Sequence, residues 1–411
     1  MQVEWDWGRV AQTFQWQLAG SLTGKVLVGI ALLCLVGIIA GVRASSWLRQ
    51  PHETRERQMV LPRLIGIVLL CDLGDWTLLR ALPWLRLSFS TQIALPLIVA
   101  ALVRLALLWG WAIAALILRW WQRRHGTPAR DRPLVLAFLV VNLSFSAIQA
   151  YAYVAEPLLV ETTELSLAFE DLSSAAPPVR VVHLTDIHIE RNSYREATVI
   201  RRVNALQPDL IVLSGDYLNL SRLHDPVSAA HFRELVGQLR APYGIYAVRG
   251  SVEPTIDSMA WLAEGTDLVW LEQEAVTVDV RGQSVTLLGV ACSHQEPLDA
   301  RRLAQTAQGV PADAFTLLLY HSPDLIREAA AGQIDLYLGG HTHGGQLRLP
   351  ILGPIYTGSK YGSKYASGLF QEGSTRMVIS RGIGMEGSNM PRARFLCRPE
   401  IVSIELKGTG D

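Results

Sequence analysis

Over the last two-thirds of the chain, short apolar runs are separated by helical and Gly/Pro-rich pieces. The segments "VRVVHLTD", "PDLIVLSGD", "YGIYAVRG", "SVTLLGV", "FTLLLYH" and "IDLYLGGH" each read as a buried strand. Near the end, "TRMVISRGIG" and "PEIVSIEL" supply two more. Between the first two lies "SYREATVIRRVNALQ", where Val199, Ile200, Val203 and Leu206 recur at helical spacing. Strands alternating with helices predict an α/β architecture with a largely buried sheet.

The first third has a different texture. Residues 24–42, "GKVLVGIALLCLVGIIAGV", have about the length needed to cross a bilayer and carry no charge after Lys25. Residues 91–118 and 133–160 are also long and apolar, the former with a single arginine, Arg104. Residues 64–85 are a poorer span because they hold Asp72, Asp75 and Arg80. The expectation is an α-helical transmembrane bundle of about four spans in residues 1–160, followed by a globular domain in residues 161–411. Asp72 and Asp75 form no wider polar stripe, so they are expected near a helix end or paired with Arg63, Arg80 or Arg104.

Composition agrees with this division. Half of the 411 residues are hydrophobic, the mean hydropathy is +0.23, and ten of the twelve tryptophans precede Gln122. The apolar run at residue 24 begins too late for a signal peptide and lacks a small-residue cleavage site. "RASSWLRQPHETRERQ" and "RWWQRRHGTPARDR", which join spans one to two and three to four, are rich in arginine and are expected on the cytoplasmic side. Residues 161–411 would then face outward from a plasma (inner) membrane. The charges balance at 37 each, and the globular part has no dense basic run with interleaved aromatics, so no nucleic-acid partner is expected. Four cysteines without a C-x-x-C pair make neither a disulfide framework nor a cysteine zinc site, and the sequence leaves open whether Cys292 and Cys397 meet.

The chemistry lies where the strands end. The first apolar run finishes at Asp186 with His188 two residues on, and the second at Gly215–Asp216. A later run ends at His321, and another continues as "GGHTHGG", with His341 and His343 two apart. Open α/β sheets gather functional groups at the carboxyl ends of strands, so six Asp and His side chains are expected to converge. Mixed carboxylate and imidazole donors suit Mn, Fe or Zn better than Ca or Mg. Six donors exceed what one tetrahedral ion needs, whereas two ions bridged by a carboxylate would use them all and clamp a phosphoryl group. Taken singly, His183, His224, His231 and His294 read as ordinary surface or packed histidines.

The order "D-x-H … G-D … G-x-x-E … H … G-H-T-H-G-G-Q" resembles the calcineurin-like metallophosphoesterases, in particular their membrane-tethered bacterial branch. The resemblance covers roughly residues 179–406 and not the first third. It implies a four-layer αββα sandwich and phosphoester hydrolysis at a dinuclear centre. By motif position, Asp186, His188 and His343 would hold one metal, Asp216 would bridge both, and His321 and His341 would hold the second.

One corner departs from the pattern. The segment after the third strand typically reads Gly-Asn-His-Asp or Gly-Asn-His-Glu in this family, the Asn binding the second metal and the His assisting the leaving group. Here Gly250 and Glu253 match, but Ser251 and Val252 replace the Asn and His. Weaker second-metal binding and a lost general acid are expected, with His294 or Glu253 as candidate substitutes. The reading is a membrane-anchored metal-dependent phosphoesterase acting on a phosphodiester or pyrophosphate, small or lipid-linked. The alternative is a non-catalytic binding module for a metal or phosphorylated ligand. Arg392, Arg394 and Arg398 in "SNMPRARFLCRP" read as part of a solvated loop, or else as phosphate contacts.

Overall fold

The computed structural model describes residues 60–89, 93–126, 132–253, 256–386 and 392–409. It divides into two compact units. One is built on the helices before Tyr151; the other comprises Tyr151–Ser388 and Arg392–Asp411 together with Leu82–Phe89.

The helical unit contains α1 (Val60–Ala81), α2 (Ala94–Arg124) and α3 (Arg132–Ala150). Two stretches among the described residues, Ala94–Arg124 and Pro133–Leu158, are long and apolar enough to cross a membrane. The expected span at residues 24–42 lies outside the described residues, and α1 covers most of the charged second candidate. Its charges are matched. The buried Arg104 of α2 places Nη1 2.6 Å from Asp72 Oδ1 and Nη2 2.6 Å from Asp75 Oδ2. Ser146 of α3 accepts from the same guanidinium, and Gln149 donates to Asp75. The two aspartates are therefore the counter-ions of one arginine, as charged groups buried among apolar helices must be paired.

In the second unit, two six-stranded sheets face each other. The first contains β1 (Glu161–Phe169), β2 (Val179–Leu184), β3 (Leu210–Leu213), β4 (Ile245–Ala247), β5 (Leu268–Trp270) and β14 (Glu400–Gly408), in the order β1-β14-β2-β3-β4-β5. Only the β14–β2 pairing is antiparallel. The second contains β6 (Gln273–Val280), β7 (Gln283–Val290), β8 (Thr316–Leu319), β9 (Leu336–Gly339), β12 (Gly368–Glu372) and β13 (Thr375–Ile379), in the order β12-β13-β9-β8-β7-β6. A short hairpin, β10 (Arg348–Leu349) with β11 (Gly353–Pro354), stands apart.

The layers follow from which faces are apolar. Val181, Leu210 and Val212 of the first sheet share one core with Leu287, Leu317 and Leu338 of the second, so the sheets are packed face to face. The opposite face of the first sheet buries Val182, Ile211 and Leu213 against α4 (Tyr194–Ala205), α5 (Pro226–Gln238) and α6 (Ile256–Ala263). That of the second buries Leu288, Leu318 and Tyr337 against α7 (Glu296–Thr306) and α8 (Ile326–Ala331). Every residue of β3, β8 and β9 is buried, which is why these strands read as unbroken apolar runs. The helix read from "SYREATVIRRVNALQ" is α4. It opens with a capping box in which Ser193 and Glu196 satisfy each other's backbone N–H groups.

The helical unit yields a stability test. Arg104→Met leaves Asp72 and Asp75 unmatched, and removing one partner from a buried charged set costs about 3–5 kcal/mol. The variant should melt markedly earlier than the parent in detergent by tryptophan fluorescence, and adding Asp72→Asn and Asp75→Asn should restore most of the loss.

Candidate metal centre

The strands that carry the motif are neighbours. β2, β3 and β4 are adjacent in the first sheet, β8 and β9 in the second, and the segments after their carboxyl ends meet. Residues 186–189 and 215–219 run side by side. Asp186 N donates to Gly215 O, His188 N to Asp216 O, and Ile189 N to Tyr217 O. Gly215 has φ of 109° and packs against Gly250, where an added Cβ would come within 2.3 Å of the Gly250 Cα. Only two glycines permit that approach of the β3 and β4 segments.

All six expected side chains converge, in two groups whose ligand atoms lie within 4.8 Å of one another. Asp186, His188 and His343 form one, and Asp216, His321 and His341 the other. In the first, the Nε2 atoms of His188 and His343 are 3.1 Å apart, and Asp186 Oδ1 is 3.4 Å from His343 Nε2. Two donors bound at about 2.0–2.2 Å to one ion stand roughly 3.0–3.4 Å apart, so this spacing fits a common ion. In the second, Asp216 Oδ2 is 3.1 Å from His321 Nε2. The same oxygen lies 3.7 Å from His188 Nε2, between the two groups. His321 Nδ1 donates to Ser214 O at 2.8 Å, which directs its other nitrogen inward.

The backbone is strained at this point. Asp186, His188, Asp216, His341 and His343 all have φ between 46° and 69°. Asp and His tolerate this left-handed region better than most residues, yet each instance costs on the order of 1 kcal/mol.

Charge in the metal-free site is balanced by protons. Burial opposes ionisation of Asp186 and Asp216, but the neighbouring imidazoles hold both well below the usual carboxylate range. Burial alone would push His188 down, yet Asp186 and Glu386 outweigh it and raise it to about 10. His321 rises against burial to about 9 through Asp216 and Asp186. His341 and His343 fall to about 4 and about 3, chiefly through burial. At neutral pH the metal-free site thus holds two carboxylates, two imidazoliums and two neutral imidazoles.

The altered corner keeps its shape. Ser251 N and Val252 N donate to Asp216 Oδ1, and Ser251 Oγ lies 3.0 Å from Asp216 Oδ2 and 3.5 Å from His321 Nε2. The serine hydroxyl therefore faces the second group. Glu253 is buried and accepts from the backbone N–H groups of Asp216, Tyr217 and Gly250. It fastens the loop, and burial together with the charge on Asp216 raises its pKa to about 7.

Three further residues border the site. His294, read from sequence as ordinary, has its ring centroid 5.0 Å from that of His341. It follows the apolar run of β7. Burial, and after it the charge on His321, lower its pKa. Glu386 Oε2 lies 3.2 Å from His188 Nδ1. Arg394 is fully buried, and its guanidinium donates to the carbonyls of Arg381, Gly382, Gly384 and Cys397. Gly384 N in turn donates to Asp186 O. Arg392 is buried and paired with Glu190 and Ser221, and Arg398 with Glu161. The reading of a solvated loop is corrected here: Arg392 and Arg394 are interior, and Arg394 is spent on backbone carbonyls. Cys292 and Cys397 are both buried free thiols.

Binding two divalent ions requires His188 and His321 to release the protons they hold below about pH 9. Loading the metal-free protein at pH 7.5 should therefore liberate about two protons per chain. Calorimetric titration with Mn in buffers of different ionisation enthalpy measures that number, and apparent affinity should fall steeply as the pH is lowered.

The family model described as calcineurin-like phosphoesterase matches residues 179–345. The uncharacterized metallophosphoesterase YkuE of Bacillus subtilis is 30% identical over 268 residues, covering 63% of this chain and 90% of that protein. The phosphodiesterase YaeI of Escherichia coli is 26% identical over 264 residues, covering 62% and 92%. A transmembrane protein with metallophosphoesterase domain from Bos taurus is 28% identical over 307 residues, covering 69% and 66%. With strand-end Asp and His groups in the order of this family and a relative matched over nine-tenths of its length, the chain belongs to the calcineurin-like metallophosphoesterases, metal-dependent phosphoesterases.

Proposed function

We propose that the protein is a membrane-anchored hydrolase of phosphodiesters or pyrophosphates with a dinuclear centre facing away from the cytoplasm. In this reading Asp186, His188 and His343 hold one ion, His321 and His341 the other, and Asp216 bridges them. The observation that carries it is the strain: five of these six residues adopt left-handed backbone, and both carboxylates are buried. Such costs persist where surrounding structure supports a function. Divalent ions in these positions supply Lewis acidity towards a phosphoryl group and activate water. Oxygen and imidazole donors fit Mn, Fe or Zn alike.

The chain's own residues set the leaving-group requirement. Val252 cannot carry a proton, burial lowers the pKa of His294, and Glu253, raised to about 7, is engaged with backbone N–H groups. With valine at position 252, assistance to departure is reduced, which favours phenolate-like and phosphate leaving groups over alkoxides. Ser251 stands where the family has Asn, and its hydroxyl, beside Asp216 and His321, would be within reach of an ion held there. Anchoring is supported by the two long apolar stretches and by the relative whose name includes "transmembrane". The arginines near the end of α2, followed by the basic segment before α3, support the orientation.

The full-length protein with Mn should hydrolyse bis(p-nitrophenyl) phosphate, and Asp216→Asn should abolish turnover. No turnover in a folded, metal-loaded protein would favour the binding module, the reading that Val252 invites. Across a series of esters, rate should fall steeply as the leaving-group pKa rises. Val252→His should flatten that dependence and raise turnover of alkyl esters by up to about 10²-fold.

A further inference from the structure

The hairpin β10–β11 is anomalous for a surface turn. Its tip exposes Ile351 completely, at 105% of the reference area, and Leu352 by 78%, with Ile355 at 64% and Tyr356 at 75%. Five large apolar side chains, counting Leu349, stand in water within eight residues. Singly exposed apolar residues need no explanation, but a contiguous group marks an interaction site.

The backbone sharpens the point. Ile351 has φ of 69°, and Leu352 N donates to Pro350 O at 2.8 Å, closing a three-residue turn of the rare left-handed kind. A β-branched residue is the poorest choice for that conformation, where Gly or Asn would relieve the strain. The strain holds an isoleucine side chain at the apex with no intramolecular burial in return.

The hairpin is rooted in the site. It leaves the chain five residues after His343, and Arg348 Nη1 donates to Gly344 O. Gly345 packs against Pro354 so closely that an added Cβ would lie 2.2 Å from the proline Cβ. The returning strand reaches Gly358, where an added Cβ would lie 3.1 Å from His341 Nε2. Between His341 and Gln371 the chain holds Arg348, Lys360 and Lys364 and no acidic residue; Lys360 is paired with Glu296, Lys364 is exposed, and of the tyrosines Tyr356 stands in water while Tyr365 is buried. An aliphatic tip with an exposed tyrosine, flanked by Arg348 and Lys364, complements an anionic lipid surface. The chain brings such a surface with it: the second membrane-length stretch ends at Leu158, and β1 starts at Glu161.

We propose that the hairpin Arg348–Tyr356 is a bilayer-docking element, its apolar tip entering the headgroup boundary of an anionic membrane beside the metal centre. The substrates presented to the centre are then phosphoesters at a lipid–water interface. The inference rests on the membrane anchoring proposed above and not on catalytic turnover.

The test uses full-length protein in vesicles of phosphatidylethanolamine and phosphatidylglycerol. Ile351→Cys is labelled with an environment-sensitive nitrobenzoxadiazole probe, with labelled Val227→Cys on α5 as a solvent control and the labelled parent as background. Resistance to alkaline carbonate reports anchoring separately. The expected result is blue-shifted emission at 351, quenched several-fold more by doxyl lipid than at 227. Water-like, unquenched emission at 351 overturns the proposal. So does blue-shifted emission that doxyl lipid leaves unchanged, which would assign the tip to a protein partner or a second copy. If carbonate extracts the protein, anchoring fails, and the same probe is read with vesicles added to soluble protein; absence of quenching there also overturns docking.

Discussion

Two carboxylates buried between two sheets set the terms for the rest of the molecule. Burial opposes the charge on Asp186 and Asp216, so positive charge must be held within a few ångströms of both. The first sheet supplies the acids and the second supplies three of the four imidazoles, so neither sheet can make the site alone. The face-to-face core, the paired segments after β2 and β3, and the glycine contact at Gly215 and Gly250 bring those charges together. Without metal, protons on His188 and His321 complete the balance.

Much of this was legible because the informative residues sit where periodicity ends. A buried strand is an unbroken apolar run, so the polar residue that terminates it is conspicuous, and six such residues pointed to one place. The rest was silent for physical reasons. Arg394 bonds to backbone carbonyls, which no side-chain pattern marks, so the segment is a loop before β14 as read, but its Arg392 and Arg394 are buried rather than solvated. His294 stands four residues beyond the end of β7, farther from its strand than Asp216 or His321, so the end of the apolar run did not mark it. The pairing of β1 with β14 joins residues more than two hundred positions apart, beyond any local signal.

The altered corner separates shape from chemistry. Gly250 and Glu253 hold the loop through backbone contacts, and Ser251 and Val252 reach Asp216 through their own N–H groups. None of these bonds depends on an Asn or His side chain. Catalytic side chains could therefore be exchanged without loss of the fold, which is how a site can change its leaving-group demands while keeping its metal-ligand geometry.

The placement of β14 bears on how the protein matures. The last described strand in the chain lies between β1 and β2, pairing with the former in parallel and the latter antiparallel. During synthesis the first sheet therefore stays open beside β2, the strand leading to Asp186, until residues 400–408 emerge. Long-range closure of this kind is slow and leaves strand edges unpaired meanwhile. Arg394, just upstream of β14, reaches the carbonyls around Asp186 only in the same late step. The surroundings of Asp186 are thus completed last, by a strand and an arginine that follow all six Asp and His groups in the chain.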